Sequence, residues 1–194
     1  MKRLCVFCGS SVGGRETYVE TTRRLGETMV RHGLGLVFGA GHIGLMGVLA
    51  DAVLAAGGEA IGVIPQALVD RELAHERLTQ LHVVDTMHQR KALMADLADA
   101  FVALPGGYGT ADELFEILTW AQLGLHQKPI GLLNIRGFFD PLIAWVDHCV
   151  REGFIRPQYR DLLAISTESG HLLDLLSRRE PAPQMPKWIG EKDR

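Results

Sequence analysis

Cysteine is scarce in this chain: three residues among 194. So small and odd a number argues against a disulfide scaffold and fits a reducing compartment. Cys5 and Cys8 do form a C-x-x-C spacing, but inside an extended apolar stretch rather than at a helix start. Three residues apart on a strand, their side chains point to opposite faces, which makes neither a redox pair nor a metal clip. Charge of one sign is also missing. Twenty Lys and Arg against 23 Asp and Glu leave a net charge of −3, so composition makes no case for nucleic acid. No apolar run reaches the ~20 residues that a membrane-spanning helix needs. The basic and apolar opening, residues 1–8, is cut short by Gly9-Ser10-Ser11 before it attains signal-peptide length. A cytoplasmic location is expected. The eight histidines show no ligand spacing, so no metal is expected, and no lysine stands in a recognisable pyridoxal phosphate context or calls for another organic cofactor.

What the chain does have is 47% hydrophobic residues, enough for a sizeable single core. Apolar runs at 4–7, 34–38, 59–64, 81–84, 100–104 and 130–133 read as strands. Helical patterns lie near 17–32, 44–56, 87–97, 111–123, 141–152 and 171–177. Strands alternating with helices predict an α/β fold: a single Rossmann-like domain, residues 1–177, with a mostly parallel sheet and helices on both faces. Residues 178–194 are rich in proline and charge and read as a docked or frayed tail.

Two glycine-rich turns follow strands. The stronger is Pro105-Gly106-Gly107-Tyr108-Gly109-Thr110-Ala111-Asp112-Glu113, between an apolar run and a helix. A strand, a glycine turn and a helix start aim unpaired backbone N–H groups and a positive dipole end at one point, as an anion such as phosphate requires. Glu113 is expected in the first helical turn, beside whatever binds. Thr110 to Glu113 also fits a capping box, which needs no ligand. The box leaves the preceding glycines and proline unexplained, and Glu116 one turn further on. The second turn holds Gly39, Gly41 and Gly44 in a G-x-G-x-x-G pattern. Glu59 has the spacing of the dinucleotide-binding acid but stands at the wrong end of its strand, so this loop reads as a phosphate site and not an NAD site.

The helix from Met87 supplies a cation. Met87, Leu93, Met94 and Leu97 form its apolar arc, and Arg90 falls in the middle. A buried arginine needs an anion. The helix after the first turn is apolar nearly all round (Leu114, Phe115, Ile117, Leu118, Trp120, Leu123), leaving Glu113 and Glu116 little water to face. The buried acids and the buried base are expected to meet, and so apolar a helix suggests a subunit interface in a homodimer. Ser10 and Ser11 close the first strand within reach of a ligand, although serines in a turn before Gly13-Gly14 need no function.

Arg90-Lys91 followed by the run from Pro105 to Glu113 resembles the LOG ("Lonely Guy") family, the cytokinin riboside 5′-monophosphate phosphoribohydrolases once labelled lysine decarboxylases. The resemblance extends over Cys8-Gly9-Ser10-Ser11, residues 39–47, Pro65, Arg71-Glu72-Leu73, residues 87–91, Trp120-Ala121-Gln122-Leu123-Gly124 and Lys128-Pro129. It implies a Rossmann-like dimer that binds a nucleoside 5′-monophosphate and cleaves its N-glycosidic bond, releasing free base and ribose 5-phosphate without a cofactor. By that resemblance the catalytic pair falls on Arg90 and Glu113. Nucleotide contacts fall on Glu72, Lys91, Thr119 and the stretch Gly107, Tyr108, Gly109, Thr110, Ala111, Asp112 and Glu113. Ala40 replaces a glycine usual in the second loop, with a narrowed phosphate pocket as the expected consequence, and Asp112 stands where many members carry glutamate. The residue chemistry agrees. Breaking the C1′–N bond builds positive charge on the ribose, and a carboxylate in a dry site stabilises it and can activate water. Two alternatives share these residues: cleavage of AMP or another purine monophosphate, and a nucleotide-binding module without catalysis.

Overall fold

The computed structural model describes residues 1–70 and 74–179. Seven strands form one parallel sheet: β1 (Arg3–Phe7), β2 (Gly35–Phe38), β3 (Ala60–Pro65), β4 (Gln80–Val84), β5 (Ala100–Ala103), β6 (Ile130–Leu133) and β7 (Leu163–Ser166). Their order is β4-β3-β2-β1-β5-β6-β7, with every pairing parallel. The six expected strands are all present. The seventh, at an edge, carries no apolar run long enough to stand out in sequence.

Alternation along β1 shows how the sheet divides two cores. Leu4, Val6 and Cys8 pack with α1 (Glu16–Arg31), α2 (Gly44–Ala55) and α8 (Ser169–Arg178), through Leu25, Met29, Leu49, Val53 and Leu172. Cys5 and Phe7 belong to the other face, with Met94, Leu114 and Ile117 from α4 (Met87–Leu97) and α5 (Tyr108–Gln122). The two cysteines therefore lie on opposite sides of the sheet, both as free thiols. Phe7 and Phe101 stack with ring centroids 6.0 Å apart on the α4–α5 side, and truncating a buried ring there costs about 3–5 kcal/mol.

The remaining helices are α3 (Gln66–Val69), α6 (Asp140–Arg151) and α7 (Pro157–Arg160); the two single-turn helices α3 and α7 have no periodicity to detect in sequence. Among the described residues no helix is long and apolar enough to cross a membrane. The expected tail lies outside the described residues beyond residue 179.

Candidate active site

The chain builds outward from β1 to β4 and then returns to place β5 on the other side of β1. That reversal leaves a crevice beyond the carboxyl ends of β1 and β5, where ligands bind in open α/β sheets. The crevice is stitched together by backbone. The Gly9 amide donates to the Pro105 carbonyl at 3.1 Å, and the Leu45 amide donates to the Gly9 carbonyl at 3.0 Å. Gly44, at φ +64°, lets α2 start hard against Ser10, because a Cβ there would collide with the Ser10 backbone. A cavity of about 290 Å³ opens between these turns.

Its walls bring together Ser10, Gly39, Gly41, Arg90, Gly107, Tyr108, Gly109, Thr110 and Glu113, from four separate stretches of sequence. Ile43, Met46, Ile64 and Leu68 complete it with an apolar side. Those four were not anticipated; Ile64 at a strand's carboxyl end carried the only usable signal. Cys8 also lines the cavity, but burial, and then the charge of Glu113, push its thiol up, so it stays protonated and is no nucleophile. A wider hollow of about 590 Å³ lies at the opposite edge of the sheet, where Arg3 pairs with Glu59 at 3.0 Å and Asp99 accepts from the Lys2 and Arg3 amides.

Helix α5 begins earlier than expected, at Tyr108, with Gly107 as N-cap and no side-chain cap. The capping-box reading of Thr110 is thereby corrected: Thr110 is buried inside the first turn, and Glu113 stands in the second turn, not the first. The first amide to find a helical acceptor is Ala111, bonded to the Gly107 carbonyl at 3.1 Å. Those of Tyr108, Gly109 and Thr110 have no carbonyl one turn back and border the cavity. A Cβ at Gly107 or Gly109 would meet nothing within 4 Å. The folded chain does not demand glycine at these two positions, and their bare backbone leaves room for a ligand against the amides. Tyr108 is 97% exposed on the rim.

Helix α4 has the capping box instead. The Gln89 amide donates to Thr86 Oγ1 at 3.1 Å, and the Thr86 amide donates to Gln89 Oε1. The cap aims Arg90, in the first turn, beneath the crevice. Arg90 is 8% exposed. Its Nη2 donates to the Gly39 carbonyl at 2.9 Å and its Nε to the Val63 carbonyl at 3.2 Å. The buried base and the acid Glu113 do come together on one cavity wall, but not as an ion pair among the described residues: two main-chain carbonyls hold the guanidinium. Met87, placed on the apolar arc in sequence, is exposed. Since carbonyls are neutral, the charge of Arg90 is left uncompensated by its own partners and faces the cavity, a favourable setting for an anion. Gly39 is obligatory here, because a Cβ would occupy the guanidinium's place.

Glu113 titrates at about 7. Burial pushes it up, Arg90 and Lys91 pull it down, and Asp112 and Glu116 push it up again. Lys91 Nζ sits 3.0 Å from Asp112 Oδ2 and 3.1 Å from Glu116 Oε1. Burial lowers the Lys91 pKa, but the two carboxylates outweigh it and the net shift is upward. Lys91 thus offsets both acids that flank Glu113. The second Glu116 oxygen is buried without a partner.

Five other expected contacts are not on the cavity wall. Lys91 and Asp112 are engaged with each other, Ala111 and Gly44 sit behind the first layer, and the exposed Thr119 returns its hydroxyl to the Phe115 carbonyl at 2.7 Å. Glu72 lies outside the described residues. Ala40 is wholly buried with its methyl toward Gly62 and is not part of the wall, so the expected narrowing of the pocket does not occur. Among the described residues no group of three or more His, Cys, Asp or Glu could hold a metal ion.

A family model described as "Possible lysine decarboxylase" matches residues 46–176. A cytokinin riboside 5′-monophosphate phosphoribohydrolase of Arabidopsis thaliana is 45% identical over 195 residues, covering 98% of this chain and 92% of its own length. A second from the same plant is 47% identical over 180 residues, covering 93% and 83%. Among solved structures, the molybdenum cofactor carrier protein of Chlamydomonas reinhardtii superposes with a TM-score of 0.68 at 18% identity, over 91% of this chain and 96% of that one, a likeness of fold alone.

Proposed function

The chain belongs to the LOG family of cytokinin riboside 5′-monophosphate phosphoribohydrolases, and from that premise we propose that it hydrolyses the N-glycosidic bond of cytokinin riboside 5′-monophosphates to free base and ribose 5-phosphate. The observation that carries this reading is the pairing of Glu113 and Arg90 on one cavity wall with the uncapped amides of α5 opposite open space.

The 5′-phosphate docks on the amides of Tyr108, Gly109 and Thr110, with the positive end of α5 behind them. Arg90 adds the full positive charge that its carbonyl partners leave uncompensated. Glu113, in its ionised form, faces the ribose. As the C1′–N bond breaks, its electron pair leaves on the base and positive charge grows on C1′, which the carboxylate stabilises. Water adds its OH to C1′ and Glu113 takes the proton it sheds; the departing base takes up a proton from solvent and Glu113 returns its own to solvent, so that one water is consumed and the carboxylate is regenerated. Binding energy at the phosphate, remote from the reacting bond, is available to organise this step, so the riboside without phosphate is a poor substrate. Chemistry of this kind requires no cofactor. The site is that of a small-molecule enzyme acting on a nucleotide rather than on a nucleic acid, and a cytoplasmic setting agrees with three free thiols.

The protein acts as a homodimer in this reading. Leu114 and Ile117 of α5 are consumed by its own core, but Phe115 packs edge-on against Trp145 of α6, ring centroids 5.6 Å apart, and Trp145 remains 53% exposed. A second copy covers this aromatic face.

The test is incubation of the purified protein with isopentenyladenosine 5′-monophosphate, AMP and isopentenyladenosine, following free base by chromatography, with Glu113→Ala alongside. Base from the monophosphates alone, abolished in the variant, is the expected result; the two monophosphate rates rank cytokinin against purine nucleotide. No base from any of the three, with AMP binding intact, refutes hydrolysis and leaves a binding module.

A further inference from the structure

The second glycine loop is held in an unusual conformation, and the residue that holds it is remote from the cavity wall in sequence. Ala40 lies at φ +60°, a left-handed conformation in which a residue with a Cβ is strained. That dihedral orients the peptide between Gly39 and Ala40, and the carbonyl of this peptide is the one that receives Arg90 Nη2 at 2.9 Å. Whatever keeps Ala40 left-handed therefore keeps the Arg90 guanidinium aimed.

The segment entering β4 does this by two backbone links. The His75 amide donates to the Ala40 carbonyl at 2.8 Å, and Ala74 forms an antiparallel bridge with Gly41. The His75 side chain then locks the segment in place. It is 6% exposed, and both ring nitrogens are engaged. Nδ1 accepts from the Arg77 amide at 3.2 Å, so the ring proton resides on Nε2, which donates to Asp51 Oδ1 at 3.2 Å. Arg77 closes the cluster from outside by pairing with the same carboxylate. Asp51 belongs to α2, the helix that the glycine loop itself starts, so the loop is clamped from both of its ends.

We propose that His75, held by Asp51, is a positioning residue for the hydrolytic site: it fixes Ala40, hence the Gly39 carbonyl, hence Arg90. The proposal rests on the phosphoribohydrolase reading above, and its test separates the two. For kinetics, His75→Ala is compared with wild type, with His75→Gln, whose amide N–H can replace the Nε2 donor, and with Leu176→Ala, a core truncation in α8 on the far side of α1. His75→Ala is expected to lower kcat for isopentenyladenosine 5′-monophosphate by about 10- to 100-fold at a temperature where it is folded. His75→Gln restores most of the loss, and Leu176→Ala keeps kcat despite an equal or larger fall in Tm. An independent readout needs no turnover: the Arg90 Nη2–H signal in ¹⁵N NMR, from the group that donates to the Gly39 carbonyl, exchanges slowly in wild type and at least about tenfold faster in His75→Ala, by loss of a buried hydrogen bond's protection. Unchanged kcat together with unchanged Arg90 exchange overturns the proposal, as does an equal loss of kcat in Leu176→Ala. A wild type that releases no base, yet shows the Arg90 exchange difference, sinks the hydrolase reading and leaves the clamp standing.

Discussion

Replacing Glu113 by glutamine is expected to make the protein more stable and inactive at once. Its carboxyl is raised from 4.5 to about 7, chiefly by burial. At about 1.4 kcal/mol per unit, ionising this group in the folded state costs about 3 kcal/mol relative to the unfolded chain. The sign follows from the direction of the shift. Below pH 4.5 both states hold the proton and Glu113 contributes nothing; between 4.5 and 7 the unfolded chain releases it first, so stability falls as pH rises; above 7 the penalty is complete. Glu113→Gln removes the ionisation while keeping shape and volume. Thermal unfolding should therefore show little difference from wild type at pH 4 and a Tm higher by roughly 6–12 °C at pH 8, taking about 2–4 °C per kcal/mol for a chain of this length. Base release should vanish over the same range. Equal Tm differences at both pH values, or a variant less stable at pH 8, would refute the assignment of a buried, ionisable, catalytically required carboxylate at this position.

Gly39→Ala inserts a Cβ where the Arg90 guanidinium lies; a fall in kcat of about 100-fold or more in the base-release assay is expected, with the far-UV circular dichroism of the folded chain retained. Because ionised Glu113 is the working form, kcat/KM should rise with pH through about 7, and Asp112→Asn, which removes a charge that pushes Glu113 up, should move that limb to lower pH in the pH–rate profile. Trp145→Glu, on the aromatic face shared with Phe115, should convert the proposed dimer to monomer in light scattering at micromolar concentration, and a wild type already monomeric would dispose of that interface.

Much of the scaffold was legible from periodicity because the inner strands are buried on both faces and read as short apolar runs. β7 escaped because Leu163-Ala164-Ile165-Ser166 is a single turn's worth of sequence at a sheet edge, where half-buried positions blur the pattern. The start of α5 was misplaced for a different reason. Glycine and tyrosine are weak helix formers, so Tyr108 and Gly109 looked like turn, and tertiary context made them the helix's first residues. The site was legible to the extent that its residues sit on local motifs. Both glycine turns, Arg90 and Glu113 could be picked out from neighbours in sequence. The carbonyls that hold Arg90 could not, since any residue supplies a carbonyl and only the fold decides which one faces inward. The same holds for Leu68, in the crossover between β3 and β4, and for Ile43, in the turn between β2 and α2, apolar residues that only the fold makes into cavity wall. Thr86 and Gln89 carry the same capping-box spacing in sequence as Thr110 and Glu113, and only the fold shows which pair closes a box.

Gly9, bonded through its N–H to the turn after β5 and through its C=O to the start of α2, ties the floor of the proposed site to the main chain of two neighbouring elements. A floor of that kind has little freedom to be remodelled by mutation without loss of the fold. Diversification toward other nucleotides would then be concentrated in the apolar flank formed by Ile43, Met46 and Leu68, none of which carries a hydrogen bond that the sheet depends on. Under the proposed function, with the base resting on that flank, substrate range and reaction chemistry would occupy separately mutable parts of one small cavity, and a lineage could trade the base it recognises while the bond it breaks stays the same.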